Sequence, residues 1–134
     1  MTHRLPPGQF ALTESLDDRI RAISGAPARV GDLAHPILAY VGALGGLAQP
    51  IGDWARALGL GFDLGPVLGR CRIDLPGRLR TSQVYEVRAE VGEIQRKPSR
   101  RFGEADHAPF AISLCQSQGA VSILSFTMIT PVRA

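Results

Sequence analysis

Cysteine and long hydrophobic runs are both scarce in this chain of 134 residues. Its two cysteines, Cys71 and Cys115, fit neither a metal-ligand spacing nor a disulfide framework, so we expect reduced thiols and a cytoplasmic location. No run reaches the ~18 apolar residues that a membrane-spanning helix needs, and we expect no membrane contact. The first residues, MTHRLPPGQF, lack the apolar segment typical of a signal peptide.

Charge of one sign is concentrated at one place only. The formal net charge is +3, and acidic and basic residues are interleaved along most of the chain. The exception is the basic cluster RKPSRR at residues 96–101. No zinc-finger spacing, aromatic RNA-binding motif or basic helix accompanies it, which argues against a nucleic-acid partner. A small anionic ligand, such as a phosphate-bearing cofactor, suits this cluster better.

The length and a hydrophobic content of 45% predict a single packed domain. We expect the proline-rich residues 1–12 to form an arm and residues 13–134 to form the domain. No internal repeat or low-complexity segment interrupts it.

Helical spacing dominates the first half of the domain. Residues 13–24 are predicted to form a helix that Ser15 caps and Gly25 ends. Its buried face is predicted to comprise Leu16, Ile20 and Ile23. The next segment, Ile37–Leu47, is apolar on nearly every side, which is typical of a buried helix. Residues 51–60 are predicted to form a third, shorter helix.

From about Leu68 onward the spacing changes to the alternation that predicts β-strands. The predicted strands cover residues 70–75, 84–96, 110–114 and 121–129, and a hairpin turn covers residues 116–119. A buried helix needs a surface that covers it, and a strongly twisted antiparallel sheet can curve around it. The predicted class is therefore α+β, with either a hotdog fold, in which a strongly curved antiparallel sheet wraps a buried central helix, or an open-faced sandwich.

Three segments of the chain resemble the MaoC-like dehydratases of the hotdog superfamily, in the branch related to the dehydratase domain of fungal fatty-acid synthases. AHPILAYVGALGG resembles the central helix, RIDLPGRLRTSQVYEVRAEVGEIQRKPSR resembles a strand pair, and DHAPFAISLCQSQGAVSILSFTMITP resembles the last hairpin. The resemblance implies a dimer that binds acyl thioesters of coenzyme A or acyl-carrier protein, with no other cofactor. It also implies hydration or dehydration by an Asp and a His within a pattern like Gly-Asp-x-Asn-Pro-Leu-His.

This sequence departs from that pattern at the catalytic loop. If Asp32 is aligned with the acid, the base falls at Ile37, or at Leu38 with one inserted residue. If residues 22–25 (AISG) are aligned instead with the end of the family's helix that precedes the acid, the acid falls at Ala26 and the base at Gly31. In the register that we favour, the buried helix itself is aligned and the catalytic loop is almost wholly deleted. In related bacterial β-hydroxyacyl dehydratases, the buried helix itself carries an acid. The corresponding segment of this chain, Ile37–Leu47, contains no Asp or Glu.

Several residues remain candidates for a site. Asp32 and His35 are near the start of the buried helix, where they act either as an acid–base pair or as a helix cap. Tyr40 either points its hydroxyl into a ligand tunnel or belongs to the core, and the backbone of Gly69 is a candidate for binding a carbonyl. Phosphate-binding candidates come from the basic cluster: Arg96, Lys97, Arg100 and Arg101. The same four side chains are alternatively a solvated loop.

These observations favour a hotdog subunit that binds acyl thioesters and is not catalytic alone. Its active site would be completed by a catalytic hotdog homologue that supplies the Asp and His. The expected assembly is a homodimer or a heterodimer with another hotdog subunit. One alternative is a self-sufficient enoyl-CoA hydratase or acyl-CoA thioesterase that uses Asp32 and His35. Another is an acyl-CoA carrier or sensor without chemistry.

Overall fold

The computed structural model describes residues 3–132, which form a seven-stranded antiparallel sheet and three α-helices. In chain order, the elements are β1 (His3–Arg4), β2 (Gly8–Leu12), α1 (Glu14–Ser24), α2 (Leu38–Gly45), α3 (Ile51–Ala57), β3 (Val67–Asp74), β4 (Gln83–Val91), β5 (Gln95–Ser99), β6 (Gly103–Gln116) and β7 (Gly119–Pro131). No helix within the described range is long and apolar enough to cross a membrane.

The two longest strands, β6 and β7, form the centre of the sheet. They pair from Ala105 and Pro131 at one end to Gln116 and Gly119 at the predicted hairpin turn. On one side of this hairpin, β3 pairs with β7 and forms an edge. On the other side, β4 and β5 pair with successive halves of β6, and β1 and β2 continue the sheet beyond β4. The sheet is curved, and α2 packs against its inner face.

The small residues of α2 allow this helix to approach the sheet closely, as its composition predicts. Buried Leu38, Ala39, Gly42 and Ala43 form the side that faces the core. A Cβ atom at Gly42 would lie 2.5 Å from the ring of Phe10. The opposite side of α2 is only half-buried, although it is also apolar. The sheet thus covers one side of the helix and leaves the other side available for further contacts.

Residues 3–12, expected to be an arm, are instead part of the sheet. Both β1 and β2 pair antiparallel with β4, and Phe10 and Leu12 of β2 are buried in the core. Proline at positions 6 and 7 is tolerated because it lies between the two strands at an edge of the sheet. Residues 1 and 2 lie outside the described part of the chain.

Helix α1 follows its predicted range but differs in two details. Its cap is Thr13, whose side chain accepts a 3.1 Å hydrogen bond from the N–H of Leu16, rather than Ser15. Gly25 ends the helix in the left-handed conformation, as predicted. Ile23 does not join the buried face, since it is 82% exposed. The buried member of the helix is a charged residue, Asp17.

The predicted strand over residues 84–96 is in fact two strands. β4 ends at Val91, the N–H of Gly92 donates to the carbonyl of Pro109, and β5 begins at Gln95. The division arises because β6 is longer than β4, so a second strand is needed to pair with its first half. The basic cluster therefore lies on β5 and on its turn into β6.

Candidate functional site

The start of α2 is anchored by the buried carboxylate of Asp17 on α1. One oxygen, Oδ1, accepts a 2.7 Å hydrogen bond from the backbone N–H of His35. The other, Oδ2, accepts hydrogen bonds from Arg21 at 2.7 Å and from Arg29 at 3.0 Å. Arg21 also donates to the carbonyls of Pro27 and Leu33. A single fully buried acid therefore holds the loop that leads into α2.

The environment of Asp17 favours its ionised form. Burial alone raises the pKa of this carboxyl group. The N–H of His35 and the guanidinium groups of Arg21 and Arg29 oppose that effect and hold the pKa below its ordinary value. Asp17 is therefore a structural anion, because its proton-accepting oxygens are buried and already occupied.

Asp32, one of the two catalytic candidates, lies in the same loop but points elsewhere. Its carboxylate forms a 2.5 Å ion pair with Arg80, and both side chains are about half exposed. Its carbonyl accepts a 2.8 Å hydrogen bond from the N–H of Thr81, and Leu33 forms an isolated bridge with Arg80. These contacts attach the loop to the segment that precedes β4.

His35, the second candidate, lies in the turn that leads into α2, where Ile37 is the N-cap residue. Its Nδ1 accepts a 3.1 Å hydrogen bond from the N–H of Ile37, and its carbonyl accepts one from the N–H of Leu38. A neutral imidazole in this position carries its proton on Nε2. Among the described hydrogen bonds, none joins Asp32 to His35. Each of the two side chains is bound to a different structural partner.

An apolar cavity of about 200 Å³ lies on the half-buried side of α2. Tyr40 is one of its lining residues. The complete lining consists of Tyr40, Leu44, Ile51, Phe62, Pro66, Val67, Leu68, Phe126 and Met128. Composition and spacing did not identify Phe62, Leu68 or Phe126 as lining residues, because three separate elements bring them together.

The cavity borders the free edge of the sheet. Among the described strands, β7 is the only neighbour of β3, so the other edge of β3 is unpaired. Gly69 lies in β3, next to the wall residue Leu68, at an irregularity where the register shifts before Cys71. Arg70, inside this bulge, has a positive φ of 31°. Exposed large apolar side chains cluster around this edge at Leu64, Leu68, Ile73 and Leu75.

The basic candidates divide into one bound arginine and three exposed cations. Arg96 is paired with Asp106 at 3.0 Å across β5 and β6, and the carboxylate of Asp106 is nearly buried. Lys97 follows on the opposite face of β5, while Arg100 and Arg101 lie exposed in the turn that leads to β6. In residues 3–132, no group of His, Cys, Asp and Glu side chains is placed to hold a metal ion.

Comparison with known proteins gives matches in structure alone. No known protein family matches the sequence, and no curated protein sequence matches it. A chain of the ChsH1–ChsH2 complex from Mycobacterium tuberculosis is similar over 98% of this chain and 85% of that one, with a TM-score of 0.73 and 17% identity. A chain of the C-terminally truncated HadBC (3R-hydroxyacyl-ACP dehydratase) complex from the same organism is similar over 96% and 93%, with a TM-score of 0.66 and 14% identity.

A third similar structure is the MaoC-like dehydratase from Rhodospirillum rubrum. The match covers 100% of this chain and 94% of that one, with a TM-score of 0.50 and 14% identity. All three structures have the hotdog fold, and two of them are complexes of different subunits. The curved antiparallel sheet, the apolar α2 against its inner face and these three likenesses together establish that this chain has the hotdog fold of the MaoC-like dehydratases.

Proposed function

We propose that this chain is a hotdog subunit that binds acyl thioesters, is not catalytic alone, and pairs along β3 with a hotdog subunit that carries the catalytic acid and base. One observation carries the proposal. Before α2, Asp32 is paired with Arg80 and His35 accepts a hydrogen bond from Ile37, whereas an apolar cavity remains open beside the unpaired edge of β3. Hydration needs an acid and a base that reach the same water, and these two side chains have other partners.

The cavity suits the acyl chain of a thioester. Apart from Tyr40, all of its lining residues have apolar side chains, and most of them come from the helices and from β3 and β7. At about 200 Å³ it is smaller than the roughly 300 Å³ of a typical site for a drug-sized ligand, which favours a narrow alkyl chain. Phosphate groups of the thioester are assigned to Lys97, Arg100 and Arg101, because Arg96 is already neutralised by Asp106.

The partner is assigned to the β3 edge. An unpaired strand presents free N–H and C=O groups and readily pairs with another chain. The exposed side chains of Leu68 and Ile73 on this strand add apolar surface that a partner would cover. The two heteromeric complexes among the similar structures support a different hotdog subunit as that partner.

Activity measurements test the catalytic part of the proposal. The purified chain is expected to show no hydration of trans-2-enoyl-CoA above the uncatalysed rate. Co-expressed with a hotdog protein that carries an intact Gly-Asp-x-Asn-Pro-Leu-His pattern, it is expected to copurify and form an active complex. Asp32→Asn and His35→Gln in this chain should leave kcat of the complex unchanged. Hydration by the isolated chain that Asp32→Asn abolishes would contradict the proposal.

Calorimetry tests the binding part with two ligands, coenzyme A and an acyl-CoA. Leu44→Trp, which fills the cavity, should weaken binding of acyl-CoA but not of coenzyme A. A Lys97→Ala/Arg101→Ala double variant should weaken binding of both ligands by about tenfold, a loss of ~1.4 kcal/mol. Arg19→Ala, which removes an exposed cation on α1, is the matched control. Equal effects of the control and the double variant would remove the phosphate assignment.

A further inference from the structure

The outer face of the sheet, opposite α2, is an uncharged strip between two charged borders. The strip consists of outward-facing residues of β6 and β7, which include Ala111, Ser113, Ile123 and Ser125 and are half-buried without any covering element among the described residues. The borders are β4 on one side and β3 on the other. An uncharged centre within a charged rim is the anatomy of a protein–protein interface rather than of a solvated sheet face.

The register of the strands orders these charges in two rows. Directly opposite residues in neighbouring strands point to the same face of a sheet. From β4 to β3 the first row runs Glu90, Ala111, Ser125, Arg72, and beyond β4 it continues to Arg4 on β1. The second row runs Arg88, Ser113, Ile123, Asp74 in the same direction. Each row thus carries opposite charges on the two border strands β4 and β3, and the order is reversed between the rows.

This pattern is complementary to itself under one rotation. A two-fold axis that runs along the strands, between β6 and β7, places β4 of one copy over β3 of the other. Glu90 then lies over Arg72 of the second copy, and Arg88 lies over Asp74. The symmetry repeats both contacts, so each of these four charges on β4 and β3 meets an opposite charge.

We propose that this outer face packs against the same face of a second copy of this chain, about that two-fold axis. Two grooves on the face, of about 330 and 440 Å³, share Glu90 and Ala111 and provide room for side chains of the facing sheet. Sheets that pack in this way keep their strands nearly aligned. Within each copy, Arg88 is already hydrogen-bonded to Glu86, and Arg72 to Asp74 at 3.0 Å, so the contact joins existing pairs into networks.

This contact goes beyond the proposed function and does not depend on it. Pairing with a catalytic subunit uses the edge of β3, whereas the contact between copies uses the outward face of the sheet. The two together predict an assembly of two copies of this chain, each with one hotdog partner.

Sedimentation of the full chain tests the contact through charge reversal. The wild-type chain is expected to form dimers that high salt weakens. Glu90→Arg and Arg72→Glu should each raise the dimer dissociation constant by about tenfold or more, because each reversal alters two symmetry-related contacts. An equimolar mixture of the two variants should restore dimers. In a mixed dimer, one contact across the axis joins the introduced arginine to the introduced glutamate, and the other keeps the wild-type pair.

Two control variants and a folding measurement distinguish loss of this contact from a change at the β3 edge and from misfolding. Ile73→Glu changes the edge and should leave the dimer intact, while Arg19→Glu on α1 should have no effect. Circular dichroism should show the same folded signal for all variants, because every altered side chain is exposed or half exposed. A monomeric wild type, unaffected single variants, or a mixture that stays monomeric would each overturn the proposal.

Discussion

The carboxylate of Asp17 and the backbone N–H of His35 form a 2.7 Å hydrogen bond across 18 residues of sequence. This contact joins α1 to the segment that leads into α2. Because Asp17 is buried and both of its oxygens are occupied, this carboxylate serves the fold rather than a reaction.

Asp17→Asn is expected to destabilise the chain by about 3 kcal/mol, because it removes the buried anion that Arg21 and Arg29 share. Arg21 loses its carboxylate partner, while Arg29 keeps Asp18 and Glu14. Urea unfolding measures this difference. The matched control is Asp18→Asn, since Asp18 also pairs with Arg29 but is 63% exposed. We expect the control to cost less than about 1 kcal/mol. Equal costs for the two variants would show that the burial of Asp17 does not matter.

The effect of Asp17 should also depend on pH. Its pKa is lowered in the folded chain, so the stabilisation is complete above the ordinary value of 3.8 and is lost as the pH falls through the lower, folded value. The difference in unfolding free energy between the wild type and Asp17→Asn should therefore be constant near neutral pH and shrink in strong acid. A difference that grows as the pH falls would contradict this account.

Gly42→Ala and Gly45→Ala should have opposite effects, although both glycines lie in α2. A Cβ at Gly42 would lie 2.5 Å from the buried ring of Phe10, whereas a Cβ at Gly45 would meet no atom within 4 Å. We expect Gly42→Ala to destabilise by about 1–3 kcal/mol through overpacking. Gly45→Ala should stabilise by up to about 1 kcal/mol through helix propensity. Midpoints of thermal unfolding distinguish the two results.

The two thiols should react at different rates. Cys71 is exposed on β3, whereas Cys115 is buried. Burial raises the pKa of the Cys115 thiol; Arg88 opposes this effect and Glu86 adds to it. Labelling with a disulfide reagent should therefore show one fast and one slow phase, and Cys71→Ser should remove the fast phase. If a hotdog partner binds along β3, it should slow the labelling of Cys71 but not that of Cys115.

Alanine variants of Arg96 and Lys97 should have different effects, the first on stability and the second on ligand binding. Arg96→Ala leaves the nearly buried carboxylate of Asp106 without its partner and should lower Tm. Lys97→Ala removes an exposed cation and should leave Tm unchanged while weakening the binding of coenzyme A. Thermal unfolding and calorimetry measure the two effects. A lower Tm for Lys97→Ala together with an unchanged Tm for Arg96→Ala would contradict these roles.

The elements with the strongest patterns were predictable from the sequence. Alternation located β3, β4, β7 and the second half of β6 with the hairpin turn, because the side chains of a strand face two different environments. It missed the first half of β6, from Gly103 to Pro109. The small apolar residues of Ile37–Leu47 predicted a helix close to a sheet, and Gly42 now shows that close approach. The resemblance to MaoC-like dehydratases named the fold that the three structural likenesses support.

Other features depended on partners far away in the sequence. Residues 3–12 became strands because the edge of β4 accepts them, and the predicted strand over residues 84–96 was divided because β6 is long enough for two neighbours. Asp17 had no sequence signal beyond its place in α1, since its burial depends on Arg29 and on His35.

By itself, the sequence determined the α+β class, the apolar helix and the alternating strands, because periodicity is local and each residue carries its own polarity. Only the tertiary structure decided which acid is buried, which charges share a row on the sheet and which edge stays unpaired. Those properties arise from register and from contacts between distant segments, which no local pattern encodes.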